Sequence, residues 1–114
     1  MQALSQTAKT ARIRELNDAF RTTFSGGRVM LTVGVDSLPS DVKAIVIRRV
    51  VTFSTFTADN DPRGEHDFGN FEVRGKRFFW KIDYYDRALE FGSDDPSDPE
   101  KTTRVLTIMF AEEY

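Results

Sequence analysis

The stretch FGNFEVRGKRFFWKIDYYD, residues 68–86, leaves a folding chain little choice. Phe71 and Val73 alternate with Glu72 and Arg74. After Gly75-Lys76 the pattern returns, with Phe78, Trp80, Ile82 and Tyr84 on one side and Phe79, Lys81, Asp83 and Tyr85 on the other. A period of two is the strand period, and Gly75-Lys76 fits a two-residue Gly-X turn of the II′ kind. These residues therefore predict a β-hairpin. An isolated hairpin is marginal in water, so its apolar face must be covered by other elements.

Those elements are read from the same periodicities. Ile13, Leu16, Phe20 and Phe24 recur at helical spacing with Ala19 beside them, and Arg12, Glu15, Asp18 and Arg21 fall mostly off that stripe. The spacing predicts a helix over 5–24, frayed over residues 1–8 and stopped by Ser25-Gly26-Gly27. RVMLTVGV (28–35) alternates as a strand. Asp36–Pro39 make a turn, and Val42, Ile45, Val46, Arg49, Val50 and Phe53 predict a second helix over 39–56. Residues 57–67 and 92–101 read as loops, ALEF (88–91) as a short strand, and TTRVLTIMFAEEY as a closing strand. The expected order is α-β-α-β-β-β-β. The expected fold is a single α+β domain over residues 1–114, two layers deep, with a mainly antiparallel sheet of four or five strands and two helices.

Bulk properties narrow the function classes. The chain has 114 residues, enough for one core without staples, and no Cys, which removes disulfides, thiolate metal sites and a cysteine nucleophile. No apolar run approaches the roughly 20 residues of a membrane span, and the first residues lack the apolar segment of a secretory signal. A soluble cytosolic protein is expected. Residues 1–50 carry eight Lys/Arg against four Asp/Glu, and residues 51–114 carry eight against fourteen, within a net charge of −2. The acidic excess lies largely in the loops 59–67 and 94–100, so no long-range field favours nucleic acid.

The blocks LNDAFRTTFSGGRVMLTVGV, NDPRGEHDFGNFE, FWKIDYYD and DPEKTTRVLTIMFAEEY resemble the bacterial family known as domain of unknown function 3768, from about residue 12 onward. The resemblance implies a bacterial origin, often on plasmids and genomic islands. It implies no activity and transfers no catalytic residue.

Four kinds of site are open to these residues. The segment TADNDPRGEHDFG (57–69) holds the only histidine with four carboxylates close by. Asp59-Asn60-Asp61-Pro62-Arg63-Gly64 echoes a calcium loop, but Arg63 stands where an oxygen ligand belongs and Asn70 where a bidentate Glu is needed. Asp59, Asp61, Glu65, His66 and Asp67 form a wider candidate metal set, poor in histidine for a transition metal. For catalysis, His66 is a candidate general base oriented by Glu65, Asp67 or Asp83, at the centre of a small hydrolase or nuclease, with or without a divalent metal. No further motif completes a mechanism. For nucleic acid, Arg74, Lys76, Arg77 and Lys81 interleave with Phe78, Phe79, Trp80, Tyr84 and Tyr85. For a protein partner, Phe79, Lys81, Asp83, Tyr85, Asp86 and Glu90, with Phe91, form an aromatic set with a polar rim.

The expectation is a binding protein without a cofactor, acting on a protein partner. Its sharpest form is an inhibitor of a host defence system, either restriction or CRISPR, with the acidic loops occupying grooves built for nucleic acid. In that reading His66 and its carboxylates lock the loop that leads into the hairpin, above Trp80 and the Phe cluster.

Overall fold

The computed structural model describes residues 4–114. The elements are α1 (Gln6–Thr23), β1 (Gly27–Leu31), α2 (Val33–Asp36), α3 (Ser40–Val51), β2 (Phe68–Val73), β3 (Lys76–Tyr85), β4 (Thr103–Phe110) and a closing 3-10 turn (Ala111–Glu113). The four strands form one mixed sheet in the order β1-β4-β3-β2. β1 runs parallel to β4, and the other neighbours are antiparallel. The chain is a small α+β domain with helices packed on one face of the sheet, as the periodicities predict.

The core explains that layering. Phe20 of α1, Val35 of α2 and Val46 and Val50 of α3 pack against Phe71, Val73, Phe78, Trp80, Ile82, Leu106 and Ile108 of the sheet. Every one of these sheet residues falls on the same alternating face, so the period of two decides which side the helices cover. Gly69 lets Trp80 lie flat over β2, because a Cβ there would run into Trp80 Nε1 and the Phe53 ring.

Several boundaries differ from the sequence expectations, each for a local reason. Residues 1–3 lie outside the described residues. The chain is already helical from Gln6, where Ser5 accepts a hydrogen bond from the Ala8 N–H. α1 is closed by Phe24 in the left-handed conformation (φ 58°), ahead of the glycines. The alternation of 28–35 breaks at Thr32, whose hydroxyl caps α2, so Val33 and Val35 are helical. A third helix thus stands where the strand was expected to continue. α3 stops at Val51, and Phe53–Phe56 leave the helix to pack their rings beside Trp80. The hairpin turn is Arg74-Gly75, both at positive φ (51° and 79°), with Val73 opposite Lys76. This is the I′ pattern, shifted one residue from the expected Gly75-Lys76. Residues 88–91 form a turn with Leu89 at φ 60°, and only Gly92 bridges to Tyr85. β4 ends at Phe110, because the Glu113 carboxylate folds back onto the Phe110 N–H.

Candidate functional site

His66 sits at the junction of α1, the 53–67 segment and the sheet. Its backbone is left-handed (φ 55°), and its N–H donates to Asp61 Oδ1 at 3.1 Å. Its Nδ1 lies 2.9 and 3.0 Å from the two carboxylate oxygens of Asp18 on α1, and its Nε2 faces Asp61 Oδ2 at 3.5 Å. The ring stacks on Phe56 with centroids 3.7 Å apart and planes 4° apart. Asp18 also receives Arg21 at 3.1 Å. Arg21 is buried, donates to the carbonyls of Val50, Val51 and Phe53, and lies over the Phe56 and Trp80 rings. The expectation that Arg21 lies off the packed stripe is therefore corrected: it caps the C-terminal end of α3, where carbonyls lack helical partners.

A second polar network adjoins the first. Asn17 is fully buried. Its amide donates to the Glu65 carbonyl at 2.9 Å and the Tyr84 hydroxyl at 2.8 Å, and its Oδ1 accepts from Arg104 Nε at 2.7 Å. Tyr84 donates in turn to Glu65 Oε1 at 2.8 Å, and burial pushes its phenol pKa well up. Burial also lowers the Arg104 pKa. Arg14 adds a bond to the Gly64 carbonyl at 2.8 Å. α1 is thus pinned to the loop by Arg14, Asn17 and Asp18, three polar residues on one helical face.

This geometry rearranges the predicted catalytic and metal sets. The partners that orient His66 are Asp18 and Asp61. Glu65 turns to Tyr84, and Asp83 lies on the opposite sheet face, 2.6 Å from Lys81. Desolvation, then the Glu65 charge, raise the Asp67 carboxyl above its usual range. Asp59 is exposed, whereas Asp61 is buried against His66. Among the described residues no three His, Asp or Glu side chains converge to hold a metal ion. Of Asp59, Asp61, Glu65, His66 and Asp67, only Asp61 and His66 stay in contact, while Glu65 turns to Tyr84 and Asp59 is exposed. Asp18 escaped the sequence reading because it is 48 residues from His66. Its place on a helical face between Asn17 and Arg21 was the only available signal.

The other face of the sheet carries Phe68, Phe79, Lys81, Asp83, Tyr85, Val105, Thr107, Met109 and Met30; among the described residues no α-helix lies over it, while the closing turn brings Tyr114 onto Phe68 and Phe79, and Met109 is buried. Phe79 meets Phe68 at 5.1 Å and Tyr114 at 5.6 Å. Two open concavities of about 460 and 480 Å³ share Lys81, Asp83 and Tyr114 as walls. The structure therefore gathers Phe79, Lys81, Asp83 and Tyr85. Asp86, Glu90 and Phe91 belong to the turn after β3, where Asp86 accepts from the Glu90 N–H and Phe91 is 72 % exposed. Of the basic hairpin residues, Arg74 lies 4.0 Å from Asp41, Arg77 lies 3.8 Å from Glu72, and Lys81 is held by Asp83. Phe78 and Trp80 are core residues, closed to stacking with bases.

No helix among the described residues is long and apolar enough to cross a membrane. No curated protein and no solved structure matches the chain. A family model described as "Protein of unknown function (DUF3768)" matches residues 31–113. That span takes in α2, α3, the His66 loop, β2, β3 and β4, and leaves α1 outside it. The chain belongs to the DUF3768 family.

Proposed function

We propose that this protein is a non-enzymatic binding module that engages a protein partner through the uncovered face of its sheet. The observation that carries the reading is its one-sidedness. α1, α2 and α3 all pack on one face, and the other carries half-buried Phe68, Phe79 and Tyr85 and exposed Met30 around the Lys81–Asp83 pair, with Tyr114 against its Phe68–Phe79 end. Aromatic and methionine side chains within a polar rim are what fill the centres of protein interfaces. Met30 is 53 % exposed.

The His66 cluster supports the same reading from the other side. Its ring is stacked on Phe56, and its two nitrogens face Asp18 and Asp61. A hydrolase built on His66 with Glu65, Asp67 or Asp83 finds less support, since those carboxylates face elsewhere. Nucleic acid is also less favoured, because three hairpin cations already face carboxylates. The resemblance to bacterial proteins of plasmids and genomic islands gives the sharper form: a cytoplasmic inhibitor of a host defence system of the restriction or CRISPR kind. Acidic mimicry by the 59–67 loop contributes little to that form, since Asp61 and Glu65 are engaged inside the molecule.

The test is affinity capture of the tagged protein from host lysate, with and without nuclease. A stoichiometric protein that survives nuclease is expected, and it should be lost with Phe79→Ser and Tyr85→Ser. Capture that depends on intact nucleic acid contradicts the reading.

A further inference from the structure

The sheet has two edges, and they are not alike. β2 is bonded at one point on its outer side, where Arg49 donates to the Glu72 carbonyl at 3.1 Å, and an open concavity lined by Thr52–Thr55 and Asn60 adjoins Asn70. β1 has no such bond on its outer side among the described residues. The Thr32 N–H reaches the Ile108 carbonyl at 3.1 Å, and the strand alternation puts Arg28 and Met30 on that same β4-facing side. The N–H and C=O groups of Val29 and Leu31 therefore point outward, and they bond to no other group among the described residues. β1 contains no Pro or bulge to blunt its edge, and Arg28 is its one charged residue.

Charge distinguishes one end of this edge. Where β1 begins, an open concavity of about 480 Å³ is lined by Gly26, Gly27, Arg28, Arg87, Pro99, Thr102 and Thr103. It holds two arginines and no carboxylate. Neither arginine forms an ion pair among the described residues, and Arg87 only donates weakly to the Pro99 carbonyl at 3.4 Å. Asp98 and Glu100 belong to the same loop as Pro99 but do not line the concavity. Two unpaired guanidinium groups beside unpaired strand backbone form a combined site for main chain and carboxylate.

We infer that β1 takes up an extended peptide segment of the protein partner as a fifth strand, with an Asp or Glu side chain of that segment seated between Arg28 and Arg87. This rests on the protein-binding reading above and names its mode. An antiparallel strand places the acidic residue toward its own C-terminal end, over the start of β1. Met30 then lies on the sheet face continuous with Phe79 and Tyr85, so strand addition and face contact belong to one surface.

The probe is a displayed library of random peptides selected on the full chain. The best binder is then synthesised with an amidated C-terminus. Enriched sequences are expected to carry Asp or Glu just after an alternating β-branched stretch. The peptide should slow hydrogen exchange at the Val29 and Leu31 amides, leaving Arg28 and Met30 unchanged because they already face β4. Arg28→Glu and Arg87→Glu, both at exposed positions, should each weaken binding by about tenfold with an unchanged Tm. Affinity indifferent to both reversals overturns the inference, as does a free C-terminal carboxylate being required. A footprint on Phe79 and Tyr85 without β1 overturns strand addition and leaves the face reading standing. Failure to enrich any peptide overturns strand addition, and the lysate capture then judges the face reading separately.

Discussion

His66 illustrates how one residue is made costly and then held in place. Non-glycine residues seldom occupy φ 55°, and the conformation persists here because the Asp61 carboxylate, the Asp18 carboxylate and the Phe56 ring all fix it. Replacing His66 with Ala removes the ring contacts and keeps the backbone strain. The expected loss is about 2 kcal/mol, read as a Tm lowered by several degrees with an unchanged far-UV spectrum. His66→Asn should lose less, since Asn tolerates the left-handed region. An unchanged Tm in both variants would mean that the knot contributes nothing. The histidine and its acidic surroundings were legible in the sequence, but its partner was not. Helical periodicity places Asp18 on a face without saying what that face meets. Asp67 behaves oppositely. Its folded pKa is raised above the ordinary 3.8, so the folded state binds its proton more tightly than the unfolded chain does. The penalty on the charged form is absent below pH 3.8 and grows as pH rises through the folded pKa. Asp67→Asn should therefore raise Tm at pH 7, by an amount that shrinks as the pH falls toward 3.8. A gain independent of pH would contradict that origin.

At the scale of elements, the hairpin shows both the reach and the limit of pattern reading. Alternation places the β3 side chains from Phe78 to Tyr85 on the faces they occupy, because a one-residue slip would bury Lys81 and Asp83 in place of Trp80 and Ile82. The turn itself was displaced by one residue, since X-Gly and Gly-X loops both suit a two-residue connection and only the register separates them. Arg74 now occupies a left-handed position that Asn favours. Arg74→Asn should stabilise the protein by about 0.5 kcal/mol, while Gly75→Ala should destabilise it by about 1 kcal/mol, both read from chemical denaturation. A stabilising Gly75→Ala would argue against the I′ turn. The strand-to-helix change at Thr32 was hidden because Val33 and Val35 continue the alternation, and only the Thr32 cap ends it. In α1 the helical spacing marks Ile13 and Phe20, and both are buried. The buried face, however, turns toward Asn17 and Arg21, whose partners lie on remote segments.

At the scale of the molecule, these local choices produce a sheet with one sealed side and one open side. The sealed side carries the helices, the Phe-Trp core and both polar networks that lock the His66 loop. The open side carries Phe79, Lys81, Asp83, Tyr85 and Met30, and it meets the unguarded β1 edge. The α+β class was legible because hydrophobic period alone decides it. The strand order was not, since nothing in the sequence says that β4 inserts between β1 and β3. One comparison separates the roles of the two sides. Partner capture is measured for the wild type, for the Phe79→Ser, Tyr85→Ser double variant and for His66→Asn, each with its Tm. The face variant should keep its fold and lose the partner, while His66→Asn should lower Tm and retain the partner. A face variant that still captures the partner, alongside a folded His66→Asn that does not, would place function at the histidine and rule out binding through the sheet face.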